Sequence, residues 1–351
     1  MISNLQVLRG LAALAVVLYH TNYAFAGGVH TMFQAVAVFF VISGFIMTHI
    51  TREKADGFLL HRLIRIVPLY WLCTLFALAA AEFKGFGRMW TDGSLENIAK
   101  SLLFVPYRDM TGEIQPLLLV GWTLNLEMFF YLLFAGALLI SRRYAPFLVC
   151  VALIAFKLIP SALGCTAIPC VYYAHDYTTF LILGVASYYV WRLLSAGAMA
   201  ARWVVLLAAP IIGITFLASN AYPPFAAALQ ARIDVPLYFA LPASVVSVAL
   251  LLHSAEFQCK WKPLLLLGDA SYALYLTHAI TIQAMRAPLS YGSPTPSDPE
   301  PSFLAAAPLV AVSALVAIAV YAWIEAPTLK ALRKLLVPHR PTTAVLQSAP
   351  R

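Results

Sequence analysis

The sequence predicts an all-α fold, a polytopic membrane bundle of about ten transmembrane helices. Three observations predict it. Of 351 residues, 62% are hydrophobic and 11% charged, against about 45–50% and about 25% in soluble globular domains. The mean hydropathy is +0.82. Apolar runs recur that are long enough to span hydrocarbon, which takes about 20 residues each. A water-soluble enzyme, a disordered chain, a collagen and a disulfide-stapled miniprotein are thereby excluded.

The apolar runs place the spans at 4–24, 32–51, 63–81, 121–140, 145–161, 177–194, 203–219, 236–254, 264–285 and 303–324. An even number puts both termini on one side. Basic residues choose the side, because cytoplasmic loops collect Lys and Arg. With the N-terminus inside, the inner segments hold the larger share, among them Arg52, Lys54, Arg142, Arg143, Arg333 and Lys334. The predicted topology is N-in, C-in. The net charge of +8 is then a property of the inner loops, and nucleic acid is not predicted as a partner.

The connections carry signals of their own. In the outer connection 82–120, Leu95, Ile98, Ala99, Leu102 and Leu103 recur at helical spacing. They predict an amphipathic helix lying in the membrane interface. Residues 288–301 form a Pro- and Ser-rich outer loop. Residues 328–351 form a basic cytoplasmic tail, set apart from a membrane domain over 1–327. The five cysteines have neither zinc spacing nor a disulfide framework. Cys165 and Cys170 fall on the outer side, where pairing is permitted. Arg9, the apolar stretch 10–19 and Ala24-Phe25-Ala26 also imitate a signal peptide, whose cleavage would remove His20.

Ionisable groups inside the bilayer are costly and are functional candidates. Arg9 and His20 are eleven residues apart. That is about 20° from whole turns and about 16 Å of rise, so both face one way, His20 towards the outer end. Arg9 can equally snorkel to the inner interface, and His20 can be a packing residue. A neutral imidazole is the natural general base for a hydroxyl. Glu127 enters span four to a similar depth, where a carboxylate can orient that ring or simply bond to another helix. Arg62 and Arg65 share a face at the cytoplasmic start of span three. They suit phosphates as well as ordinary positive-inside flanking. Ser271, Tyr275 and His278 share a face of span nine, as a polar path or as interhelical glue. Glu325 falls at the inner end of span ten, where a solvated helix end is expected.

Taken together these residues resemble membrane acyltransferase family 3, which contains sugar O-acyltransferases. Arg9 and His20 form its R-x10-H pattern, within Leu5-Gln6-Val7-Leu8-Arg9-Gly10-Leu11. Phe39-Phe40-Val41-Ile42-Ser43-Gly44-Phe45 is similar to a second element. Arg62, Arg65, Pro68 and Tyr70 match R-x-x-R-I-x-P-x-Y, and Trp122, Leu124, Glu127, Phe130 and Tyr131 match W-x-L-x-x-E-x-x-F-Y. Ser271 to His278 is similar to S-Y-x-L-Y-L-x-H. The string Gly121-Trp122-Thr123-Leu124-Asn125 is similar to the exopolysaccharide, succinoglycan-type branch. Where other members carry a second acid this chain has Met128, so only Glu127 is carried over.

The resemblance implies a multi-pass protein of the bacterial inner membrane. It implies acetyl-CoA or another acyl-CoA as cytoplasmic donor, without a metal. It also implies a sugar acceptor on a polysaccharide or lipid-linked glycan at the outer face. Membrane lipids are partners, and a homo-oligomer is left open. In this reading His20 is the base and Glu127 orients it. Arg9, Arg62 and Arg65 bind the donor, while Ser271, Tyr275, His278 and Tyr131 line the substrate path. Two other classes compete. A sugar transporter or flippase would line a route with the same residues, although no internal repeat supports it. A structural or sensing protein would use them as helix glue.

Overall fold

The computed structural model describes residues 2–21, 34–53, 55–81, 93–196, 241–254, 257–286 and 303–337. Among them the fold is helical and no strand occurs. The helices are α1 (Ser3–His20), α2 (Gln34–Glu53), α3 (Phe58–Ala80), α4 (Leu95–Leu102), α5 (Trp122–Ile140), α6 (Ala145–Ala162) and α7 (Ile168–Tyr173). They continue with α8 (Tyr177–Ala196), α9 (Leu241–Ser254), α10 (Lys262–Asp269), α11 (Ser271–Arg286) and α12 (Phe303–Val320). A π turn, Tyr321–Glu325, leads into α13 (Ala326–Leu336).

Five stretches among the described residues are long and apolar enough to cross a membrane: Ala35–Arg52, Phe58–Ala80, Leu119–Ile140, Ala145–Ala162 and Ala306–Leu336. Span 4–24 follows α1 as far as His20, its residues 22–24 lying outside the described residues, and span 177–194 falls within α8. Span 203–219, part of span 236–254, the loop 288–301 and the tail beyond 337 lie outside the described residues. So does Ala24-Phe25-Ala26.

Two expectations change in form. Span 264–285 is not one helix: it stops at Asp269 and restarts at Ser271. The boundary at 327 falls inside continuous helix, because α13 follows the π turn directly.

Small residues set the closest helix contacts, as expected where lipid supplies no hydrophobic drive between helices. A Cβ on Gly44 would collide with the Leu181 carbonyl oxygen, and one on Gly184 with that of Val41. This pair brings α2 against α8. Gly10 and Gly268 do the same for α1 and α10, where a Cβ on Gly10 would lie 2.9 Å from the Gly268 nitrogen. Gln6 donates to Asp269 at that crossing. Large apolar side chains also point outward, Leu139, Phe147, Leu158 and Trp323 among them. In a bundle surrounded by lipid such an apolar exterior carries no penalty.

The outer connection is folded from residue 93 onwards. Ser94 caps α4 by accepting from the Asn97 N–H at 3.3 Å. Leu95 and Leu103 remain exposed. Buried Ser101 accepts from the Leu117 N–H at 3.0 Å, and its carbonyl accepts from the Tyr70 hydroxyl at 3.1 Å. Trp71 Nε1 donates to the Leu102 carbonyl at 2.8 Å. The connection is thus bound to the end of α3. Cys165 and Cys170 are disulfide-bonded, with Cα atoms 6.0 Å apart, and close the turn between α6 and α7.

Candidate functional site

Polar residues from five helices meet at one cavity of about 100 Å³. Arg9 reaches it from α1, Ser43 from α2, and Arg62 and Arg65 from α3. Thr123, Glu127 and Tyr131 come from α5, and Ser271, Tyr272 and Tyr275 from α11. Apolar Val36, Phe39, Phe40, Ile46 and Leu124 complete the walls. Arg62 and Arg65 share the cavity because three residues is less than one turn. The Tyr272 hydroxyl donates to the Ile66 carbonyl at 2.8 Å, which ties α11 to the turn bearing both arginines.

Among the described residues, none of the three guanidiniums makes a hydrogen bond or an ion pair. The Nε of Arg62 is buried without a partner. Glu127 lies within electrostatic reach of Arg9 and Arg62, but its Oε1 is engaged elsewhere. It accepts from Ser43 Oγ at 2.5 Å and from the Tyr131 hydroxyl. Three cations and one carboxylate leave the cavity net positive, which suits an anionic ligand. A drug-sized ligand occupies about 300–1,000 Å³. This cavity therefore suits an anionic group of a larger ligand and not a whole nucleotide.

His20 is not among the lining residues. Its Nδ1 bonds to the Val16 carbonyl at 2.9 Å, and its ring packs against His278 at 4.9 Å between centroids. The expected pairing of Glu127 with His20 is thus replaced. A backbone carbonyl holds the ring, while the carboxylate turns towards α2 and its own Tyr131. Equal depth fixes the height of a side chain on its helix and not its direction. His278 also departs from expectation: it is fully buried and does not line the cavity. Tyr275 does, and its ring lies 6.0 Å from that of His278. The sequence Tyr275, His278, His20 is therefore a continuous contact from the cavity to the far end of α1. Tyr275 is held by Thr123 Oγ1 at 2.8 Å and by the Val120 carbonyl at 3.1 Å.

Two residues take contacts that the sequence reading did not assign them. Ser43 sits inside an apolar run, and its spacing gave no sign of the α5 carboxylate it meets. Glu325, expected at a solvated helix end, is 3% exposed, and neither carboxylate oxygen has a hydrogen-bond partner. It lies in the field of Arg65 and Arg9. A π turn adds a residue to the helical turn, so the face read at 3.6 residues per turn rotates inwards. Among the described residues no group of three His, Cys, Asp or Glu could hold a metal ion.

Comparison with known proteins matches residues 2–323 to the model of an acyltransferase domain. The chain is similar to exopolysaccharide production protein ExoZ of Rhizobium meliloti, at 46% identity over 113 residues. That alignment covers 31% of this chain and 35% of that protein. It is similar to peptidoglycan O-acetyltransferase OatA of Listeria monocytogenes, at 28% over 316 residues, covering 79% of this chain and 49% of OatA. Putative peptidoglycan O-acetyltransferase YrhL of Bacillus subtilis is 24% identical over 315 residues, covering 79% and 48%. The chain spans about half the length of these relatives or less. No solved structure matches. With five ordered sequence elements converging on one cavity and the domain model covering nearly the whole chain, this protein belongs to acyltransferase family 3.

Proposed function

We propose that the protein is a membrane O-acyltransferase that moves an acyl group, most simply acetyl, from cytoplasmic acyl-CoA to a sugar hydroxyl of a polysaccharide or lipid-linked glycan at the outer face. One observation carries the reading: three guanidiniums, none hydrogen-bonded or ion-paired among the described residues, share a cavity with Glu127. Partly buried cations of that kind favour an anionic partner, and an acyl-CoA supplies one. The relatives described as peptidoglycan O-acetyltransferases and as an exopolysaccharide production protein support the chemistry and a glycan acceptor.

In this reading Arg9, Arg62 and Arg65 hold the donor, and Ser271, Tyr275 and Tyr131 line its path. The Val16 carbonyl accepts only, so Nδ1 of His20 carries the proton and Nε2 carries the lone pair that acts as base. Nε2 takes the proton of the sugar hydroxyl, and the oxygen attacks the thioester carbonyl. The carbon–sulfur bond breaks, and the thiolate leaves with the proton from Nε2. Ten spans with both termini in the cytoplasm put the arginines on the donor side and His20 on the acceptor side. The Cys165–Cys170 bridge supports an oxidising, outer location for the α6–α7 turn.

The test uses the full chain in proteoliposomes with radiolabelled acetyl-CoA inside and polysaccharide outside. Label should appear on the polysaccharide, and His20→Ala should abolish it while the protein stays in the membrane. Sugar that crosses unmodified, or full labelling by the variant, would reject the reading.

A further inference from the structure

Beyond the arginine cavity, the structure holds a buried polar group that the reaction above does not use. His278 is 0% exposed. Its Nδ1 lies 3.1 Å from the Leu274 carbonyl, one turn back on α11. A carbonyl oxygen only accepts, so Nδ1 must carry the proton and Nε2 must present a lone pair. That Nε2 is buried and has no hydrogen-bond partner. An unpartnered polar atom in a closed interior is costly, and a plain packing position would favour an apolar side chain of similar size.

The ring that faces it is His20, with centroids 4.9 Å apart and planes inclined by 60°. The same logic applies there, since Nδ1 of His20 meets the Val16 carbonyl. Each imidazole is thus fixed by its own helix through Nδ1, and each keeps an Nε2 lone pair. Tyr275 is the other polar ring against His278, and its hydroxyl is engaged by Thr123 and Val120. No carboxylate hydrogen-bonds to either imidazole among the described residues. A charge arising on His20 therefore has, among the described residues, the His278 imidazole and the Tyr19 ring beside it, the latter 5.2 Å away between centroids.

We propose that His278 is a positioning residue for His20, its Nε2 lone pair stabilising the imidazolium that forms when His20 accepts the hydroxyl proton. The inference rests on the reading of His20 as the base. The proton moves from the hydroxyl oxygen to Nε2 of His20 and returns to the departing sulfur. His278 neither gains nor loses one. Its lone pair supplies electrostatic stabilisation of the kind a carboxylate gives in a Ser-His-Asp triad, from beside the ring and not at Nδ1, which the Val16 carbonyl occupies, and without placing a second charge in the membrane interior.

The experiment compares His278→Phe, His278→Gln and His20→Ala as full chains in proteoliposomes, with labelled acetyl-CoA and polysaccharide. Phenylalanine fills the space without an acceptor; glutamine keeps an acceptor oxygen at similar reach. His278→Phe should lower kcat by about 30-fold or more with the donor KM within twofold. His278→Gln should recover at least tenfold of that loss. Equal kcat for the two variants, or a kcat of His278→Phe within twofold of the parent, overturns the proposal. If His278→Phe does not reach the membrane, His278→Asn replaces it, its shorter amide falling short of His20, and a kcat equal to that of His278→Gln again overturns it. Full activity in His20→Ala is a separate outcome, which removes the base itself and with it the proposed function.

Discussion

Ser43 donates a 2.5 Å hydrogen bond to Glu127 across the contact between α2 and α5. The Tyr131 hydroxyl donates to the same oxygen. Two neutral donors on one oxygen fix the carboxylate against the cavity wall. Ser43→Ala and Tyr131→Phe each remove one donor, at a cost of about 1–3 kcal/mol. Each should lower acyl transfer by about tenfold or more, and the double variant should depart from additivity because both act on one atom. Transfer rates in a double-mutant cycle check this.

Arg62→Ala combined with Arg65→Ala should weaken donor saturation more than turnover. Hydrogen bonds to charged groups are worth about 1.5–3 kcal/mol, or about 10–100-fold in apparent affinity. The measurement is KM for acyl-CoA against kcat. A fall in kcat with KM unchanged would assign these arginines to another role.

Gly44→Ala should destabilise the bundle, since the new Cβ meets the Leu181 carbonyl and backbone cannot swing away. Overpacking of this kind costs about 1–3 kcal/mol. Gly136 is the contrast: nothing lies within 4 Å of its Cβ position, and Gly136→Ala in α5 should raise the melting temperature through helix propensity. Thermal unfolding in detergent distinguishes the two.

Acid should loosen the outer connection. Burial raises the pKa of the Asp109 carboxyl, but hydrogen bonds from the Thr111 hydroxyl, Gln115 and the Thr111 and Glu113 N–H groups outweigh it and hold it below its ordinary value. A depressed folded pKa stabilises above the unfolded value of about 3.9, and the contribution disappears as pH falls through the folded value. Asp109→Asn should remove this pH dependence. Limited proteolysis across pH 2–6 reports it.

Cys165 and Cys170 should resist a membrane-impermeant maleimide added to sealed spheroplasts until a reductant is supplied, because they are bonded to each other. Labelling only after reduction places the α6–α7 turn outside. Labelling that also requires opening the membrane would reverse the orientation.

The class of fold was legible because composition and the length of apolar runs report directly on the surrounding solvent. Most helices follow from that, including α4, whose apolar residues recur at helical spacing. The break at Ala270 was not legible: Leu267 through Leu276 reads as continuous helix, and the interruption lies at the tight Gly10–Gly268 crossing. The cavity was legible in its members, because charged residues in an apolar span are conspicuous. Its pairings were not. Depth along a helix follows from counting, but direction depends on which neighbour it packs against. Glu127 accordingly meets Ser43 and Tyr131, and Glu325 turns inwards on its π turn.

The interruption of the ninth span has one more effect. Ser271, at the restart, borders the cavity, and His278, seven residues on, touches His20. Both stand on one uninterrupted rod, about 10 Å apart along its axis. The distance between the anion pocket and the imidazoles is thus set by the pitch of a single helix and not by two surfaces that could slide. It works as a gauge of fixed length, against which any donor anchored in the pocket must measure up.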